Sequence, residues 1–178
     1  MDRIARFEKV SRDRFIKDYM DVFGNKDMDQ TWTKALEEEA SKAYDEIKIP
    51  VRATSGSAGY DICTPFDITV LPGHSVKIPT GIRVTMREDY CLFIMPRSGL
   101  GSKFRFQLNN TTGVIDSDYY FSENEGHIFV PMINDSRDDK TVTLKSGSAF
   151  AQGVFCSFGI TEDDDAKGLR DGGFGSTG

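Results

Sequence analysis

From Pro50 onward the chain is cut into short apolar runs by Gly, Pro, Asn and Asp at roughly ten-residue intervals, a rhythm that leaves few folds open. Val76–Ile78, Ile82–Val84, Leu92–Met95, Ile128–Ile133 and Val142–Leu144 are too short for helices and are bounded by turn formers. Turns at this spacing predict an all-β sandwich, jelly roll or barrel. The first 47 residues read differently. Ile4–Val10 predicts an opening strand, and Ser11 caps a short helix bearing Phe15, Ile16, Tyr19 and Met20 that ends near Gly24 and Asn25. Trp32, Leu36, Ala40, Ala43, Tyr44 and Ile47 recur at three- and four-residue steps, predicting a second helix over residues 31–47 whose Glu37–Glu39 run is solvated. The expected organisation is a strand and helical extension over residues 1–47 packed on the main domain. A β domain spans 48–162, and a flexible Gly-rich tail spans 163–178.

Composition narrows the function classes. At 178 residues the chain fits one domain with a substantial core. Its 38% hydrophobic content and mean hydropathy of −0.40 read as soluble and globular. No segment has signal-peptide character or could span a membrane. Cys63, Cys91 and Cys156 are odd in number and lack metal-type spacing, so a reducing cytoplasm is expected, with each acting as a small buried hydrophobe. His74 and His127 are too few and too scattered for a His-based metal site. A net charge of −6 argues against a general nucleic-acid binder. It also means that a polyanionic ligand needs locally placed arginines and a divalent cation.

Five segments carry side chains suited to chemistry. Ser57–Ile62 turns on small residues and sets Asp61 beside a strand start, where it suits a magnesium water shell or a simple Asx-turn. Pro96–Gly101 follows an apolar strand that Pro96 should end. Arg97 and Ser98, with the N–H groups exposed by glycine, suit a phosphate chain, though plain surface turns carry such pairs too. Asn110–Tyr120 places Gly113 on a strand edge open to a ligand, then two carboxylates and two tyrosines. One carboxylate can orient or deprotonate a water; the bland alternative is a hairpin with Asp turn residues and a packed tyrosine. Ala149–Phe155 is a buried strand whose amide, Gln152, needs a partner if it is not exposed. The tail Arg170–Gly178 surrounds Phe174 with glycines, fitting either a flap over phosphate or a frayed end.

In order, Ala58-Gly59-Tyr60-Asp61, Pro96-Arg97-Ser98-Gly99, Gly113 through Tyr119, Ala151-Gln152 and Gly173 through Gly178 resemble the five motifs of the homotrimeric dUTPase family. The likeness covers about residues 48–178 and leaves the helical extension aside. It implies a mainly β, jelly-roll-like barrel that hydrolyses dUTP to dUMP and pyrophosphate with Mg2+, limiting uracil incorporation into DNA. It further implies a homotrimer with shared sites, and neither nucleic-acid nor membrane partners. Carried over by motif position, Asp116 orients and activates the attacking water. Arg97, Ser98 and Gly99 grip phosphates with help from Gln152, and Asp61 reaches magnesium through water. Asn110, Gly113 and Ile115 frame the uracil, Tyr119 lies under the deoxyribose, and Phe174 stacks on the base. Arg170, Gly175 and Ser176 close on the outer phosphates. Two departures stand out: Ala149 occupies a position that is often basic, with Lys103, Arg105 or Lys145 available to compensate, and Arg170 lies unusually near Phe174. A dCTP deaminase-like enzyme of similar fold and a regulatory protein-binding module remain as alternatives.

Overall fold

The computed structural model describes residues 2–168. It opens with β1 (Ala5–Lys9), α1 (Arg12–Phe23) and α2 (Gln30–Asp45), each within one or two residues of the expected element. Ser11 accepts from the Arg14 N–H (3.1 Å) and Asp29 from the Trp32 N–H (3.0 Å), filling donors that a helix start leaves orphaned. Gly24 stops α1 by donating to the Met20 carbonyl at 2.8 Å. The buried stripe of α2 is shorter than its sequence pattern, because Trp32 is 67% exposed.

The rest is antiparallel β structure. The chain lays down β2 (Val51–Arg52), β3 (Tyr60–Cys63), β4 (Ile68–Val70), β5 (Ser75–Pro79), β6 (Ile82–Met86) and β7 (Tyr90–Pro96). After α3 (Ser98–Phe104) come β8 (Phe106–Leu108), β9 (Gly113–Ile115), β10 (Phe129–Asn134), β11 (Val142–Leu144) and β12 (Ala149–Ser157). A five-stranded sheet runs β2-β3-β12-β7-β9, and a three-stranded one β5-β10-β8. The pairs β1-β6 and β11-β4 complete the set. Burial alternates along β6 and β10, as strands with one face on a core require.

A single core takes side chains from both halves: Phe15, Tyr19, Ala40 and Ala43 of the helices join Ile62, Ile78, Leu92, Phe106 and Phe150 of the strands. Full burial of Phe15 stabilises by about 2–3 kcal/mol, so the helices are integral to the fold. The cysteines differ from expectation in one respect. Cys91 is buried, but Cys63 and Cys156 are only half-buried, since β3 and the end of β12 lie partly at the surface. No helix among the described residues is long and apolar enough to cross a membrane.

Where α1 meets the strands, Asp18 and His127 are 3% and 0% exposed. The Gly81 N–H donates to His127 Nε2 (2.8 Å), so that nitrogen carries no proton and Nδ1 donates to Asp18 Oδ2 (2.6 Å). Burial pushes the imidazole below its ordinary 6.5, outweighing the Asp18 carboxylate, which acts the other way. Burial raises the Asp18 carboxyl too, but the bonds from His127 and Arg14 hold it below 3.8. The unfolded imidazole takes up its proton near 6.5 and the folded one resists, so stability from the neutral form is complete above 6.5 and lost as pH falls below it. Melting temperature should therefore drop between about pH 7.5 and 5.5, and His127→Gln should flatten that slope. An unchanged slope in the variant would assign the effect to another group.

Candidate functional site

Two clusters form on the five-stranded sheet. At one end, Pro96 pairs with Ala151, and the Arg97 N–H donates to the Phe150 carbonyl at 3.3 Å. The ladder thus runs through Pro96 instead of stopping before it, because the bond after proline is made by the next N–H. The plain surface turn that stands as the alternative is absent too; Ser98–Phe104 winds into α3, begun by Gly101 N–H donating to the Arg97 carbonyl (2.9 Å). A helix start leaves its first N–H groups without intrahelical acceptors, and here they belong to Ser98, Gly99 and Leu100.

Arg97 Nη1 lies 2.5 Å from Asp61 Oδ2. Both side chains are partly exposed (41% and 29%), and pairs of that kind contribute only about 0–1 kcal/mol, so a phosphate can compete for the guanidinium. Asp61 faces Gln152 across the β3–β12 ladder, just past a register shift between Ala149 and Ala151. Gln152 Nε2 donates to the Pro96 carbonyl (3.3 Å). A Cβ on Gly59 would lie 2.6 Å from Gln152 Oε1, so this crossing accepts only glycine without rearrangement. The first, second and fourth motifs therefore meet.

The second cluster surrounds β9, the terminal strand of its sheet among the described residues, with one backbone edge outside the ladder they form. Asn110 sits in the β8–β9 turn and accepts from the Thr112 N–H (2.7 Å), with Thr111 left-handed at φ 65°. Gly113 packs on Ile94, where an added Cβ would come within 3.3 Å of the Ile94 Cβ. Ile115 is buried. Asp116 precedes a 3-10 helix, Ser117–Phe121, where the bland alternative reading has a hairpin. With Ser117 and Asp118 it lines a cavity of about 460 Å³ bounded by Glu88, Phe121 and Phe158. Phe121 is 82% exposed there. Tyr119 is buried beneath the turn, its hydroxyl donating to the His127 carbonyl (2.8 Å) and accepting from Asn124 Nδ2 (2.8 Å).

The two clusters are not adjacent. Ile115 pairs with Leu92 near the start of β7, whereas Arg97 follows its end. Six residues of strand separate Arg97 from the level of Asp116, about 20 Å at 3.3 Å per residue. Asp61, Arg97, Ser98, Gly99 and Gln152 form one group, and Asn110, Gly113, Ile115, Asp116 and Tyr119 the other. Arg170, Phe174, Gly175 and Ser176 lie outside the described residues.

Of the three bases considered as substitutes at Ala149, Lys145 is paired with Asp67 (2.6 Å) and Arg105 with Asp135 (2.7 Å). Lys103, on α3, has no carboxylate partner among the described residues and lies over the Phe104 ring at 5.1 Å. Sequence reasoning missed Glu8, Asp18 and Arg83, which reach the second cluster from distant parts of the chain, and Glu125 and His127, which receive them. No local signal marks them; buried Asp18 on an otherwise apolar helix face is the nearest to one.

Known proteins share the sequence and the fold of most of this chain. The dUTPase family model matches residues 45–178. The deoxyuridine 5'-triphosphate nucleotidohydrolase of Lactococcus lactis subsp. lactis is 42% identical over 135 residues, covering 74% of this chain and 89% of that protein. That of Tolumonas auensis is 39% identical over 141 residues, covering 75% and 89%. Among solved structures, the dUTPase from Streptococcus mutans superposes with a TM-score of 0.59 at 37% identity, over 66% of this chain and 91% of its own. With the family model spanning most of its length and relatives near 40% identity over three quarters of it, this chain belongs to the dUTPase family.

Proposed function

We propose that this chain converts dUTP and water to dUMP and pyrophosphate at sites built between copies of itself, as a homotrimer. The carrying observation is the separation of about 20 Å along β7 between Asp116 and the Arg97 cluster, too far for one triphosphate to touch both within one chain. Juxtaposing the β9 edge of one copy with the α3 start of another removes that gap. Exposed Phe121 and Phe158 beside Asp116 are apolar surface that such a neighbour would cover.

In this reading the open edge at Gly113, with Asn110 and Ile115, holds the uracil through backbone groups. Tyr119, fixed beneath the turn, is the floor against which a 2′-hydroxyl would clash. Asp116 accepts a proton from the water and aims it in line at the α-phosphorus. Arg97, Ser98, Gly99 and Gln152 hold the phosphate oxygens, and electrostatic placement dominates because the transition state spreads charge over them. Arg170, Phe174, Gly175 and Ser176 close over base and outer phosphates.

The family implies magnesium. No group of three or more His, Cys, Asp or Glu side chains able to hold a metal occurs among the described residues. A lone carboxylate beside a phosphate grip fits an ion held through its waters and the substrate's own oxygens, and Asp61 is that residue. When bound, the ion neutralises phosphate charge.

A panel of dUTP, dCTP, dTTP and UTP, with and without magnesium and assayed for pyrophosphate and ammonia, tests the activity. Pyrophosphate from dUTP alone is expected; ammonia from dCTP would reverse the reading. Lys103 stands in for the base missing at Ala149, so Lys103→Ala should raise KM for dUTP by about 3- to 10-fold, the loss of roughly 1 kcal/mol of charged contact, with kcat little changed. An unaltered KM would remove Lys103 from the pocket.

A further inference from the structure

The segment from Ser117 to His127, which carries the turn after Asp116, is held from one side by residues of the N-terminal extension. Glu8 on β1 accepts from the Tyr120 hydroxyl at 2.8 Å, and Arg83 donates to the same hydroxyl at 2.7 Å. Ser11 donates from its N–H and its hydroxyl to the Glu125 carboxylate, at 2.8 and 2.6 Å. Asp18 on α1 holds His127 Nδ1 at 2.6 Å and is itself held by Arg14 Nε at 2.9 Å.

These contacts continue inward to the site. The His127 carbonyl accepts from the Tyr119 hydroxyl (2.8 Å), and Ser122 Oγ donates to the Tyr119 carbonyl (2.6 Å). The Tyr119 N–H in turn donates to the Asp116 carbonyl at 3.2 Å. Asp18 and His127 are almost wholly buried, where a hydrogen bond is stronger than in water and less easily exchanged. Glu8, Ser11 and Asp18 all precede residue 45, where the family match begins.

We propose that the N-terminal extension is a positioning device for the Asp116–Tyr119 turn, and that Asp18 is its central positioning residue, acting through His127. The proposal rests on the reading of Asp116 as the residue that aims the water. Turnover is sensitive to small displacements of such a group, whereas binding of base and phosphates depends on other contacts. The extension therefore sets kcat more than KM.

The test compares full-length variants in steady-state dUTP hydrolysis, with melting temperature measured on each. Asp18→Ala should lower kcat on the order of tenfold with KM within about twofold, and Asp18→Asn, whose Oδ1 still accepts from His127, should recover most of it. Glu39→Gln is the stability control. It weakens the Tyr19–Glu39 bond (2.9 Å) between α1 and α2, touches nothing in Ser117–His127, and should leave kcat unchanged. If Asp18→Ala does not fold, Tyr120→Phe decides the matter, since it removes the bonds to Glu8 and Arg83 and should lower kcat in the same way.

A loss of kcat in Glu39→Gln equal to that in the Asp18 or Tyr120 variant would reduce the effect to general weakening and overturn the proposal. Wild-type kcat in both site variants, with Asp116→Asn inactive, would overturn the positioning alone. Full activity in Asp116→Asn would overturn the catalytic reading, and the positioning with it.

Discussion

Asp116→Asn should lower kcat for dUTP by about three orders of magnitude while leaving the melting temperature near that of the parent chain. The asparagine keeps the volume of the side chain and its place before the 3-10 helix, but cannot take the proton from water. General bases contribute about 10²- to 10⁴-fold, which sets the size of the loss. KM should change little, because the groups assigned to base and phosphates are untouched. Stopped assays of pyrophosphate release measure kcat, and a thermal melt checks the fold. Retention of more than a tenth of the activity would mean that another group activates the water.

Arg97→Ala should be comparably inactive, since it removes the guanidinium from the phosphate grip and leaves Asp61 without its ion-pair partner. The informative experiment combines the two defects. When Asp116→Asn and Arg97→Ala chains are co-expressed in equal amounts, activity should return to about a quarter of the parent level. Random assortment in a closed ring places an intact Asp116 opposite an intact Arg97 in that fraction of sites. A site contained within one chain would show no recovery at all. Light scattering on the same sample should give three times the 19.9 kDa chain mass. Recovery with a dimeric mass would keep the shared site and discard the trimer.

Much of the fold is legible in the sequence. Val142–Leu144 matches β11 residue for residue, and the cap at Ser11 and the stop at Gly24 bound α1. These are local matters, decided by turn chemistry and by donors within a few residues. The failures were of a different kind. A plain turn at Pro96–Gly101 and a hairpin with Asp turn residues after Asn110 stand as the bland alternatives, and the structure has a helix, Ser98–Phe104, and a 3-10 helix, Ser117–Phe121, there instead. In both, contacts made outside the segment outvote weak local preference: the Arg97 N–H is anchored on Phe150, and the Tyr119 hydroxyl on His127, past the end of the 3-10 helix.

The same division runs through the site. Residue types at ordered spacings mark Asp61, Arg97, Ser98, Asp116 and Gln152, because phosphate and water chemistry need charges and small residues that a sequence displays openly. By itself the sequence thus determined a β scaffold, the family and the groups proposed to carry its chemistry. The tertiary structure decided how those groups are divided. Strand pairing places Gln152 beside Asp61, and places Asp116 at the opposite end of β7 from Arg97. It also brought Glu8, Ser11 and Asp18 against Tyr120, Glu125 and His127, across more than a hundred residues of chain. Such contacts leave no periodic trace, since only the closing of the core brings the two segments within hydrogen-bond reach.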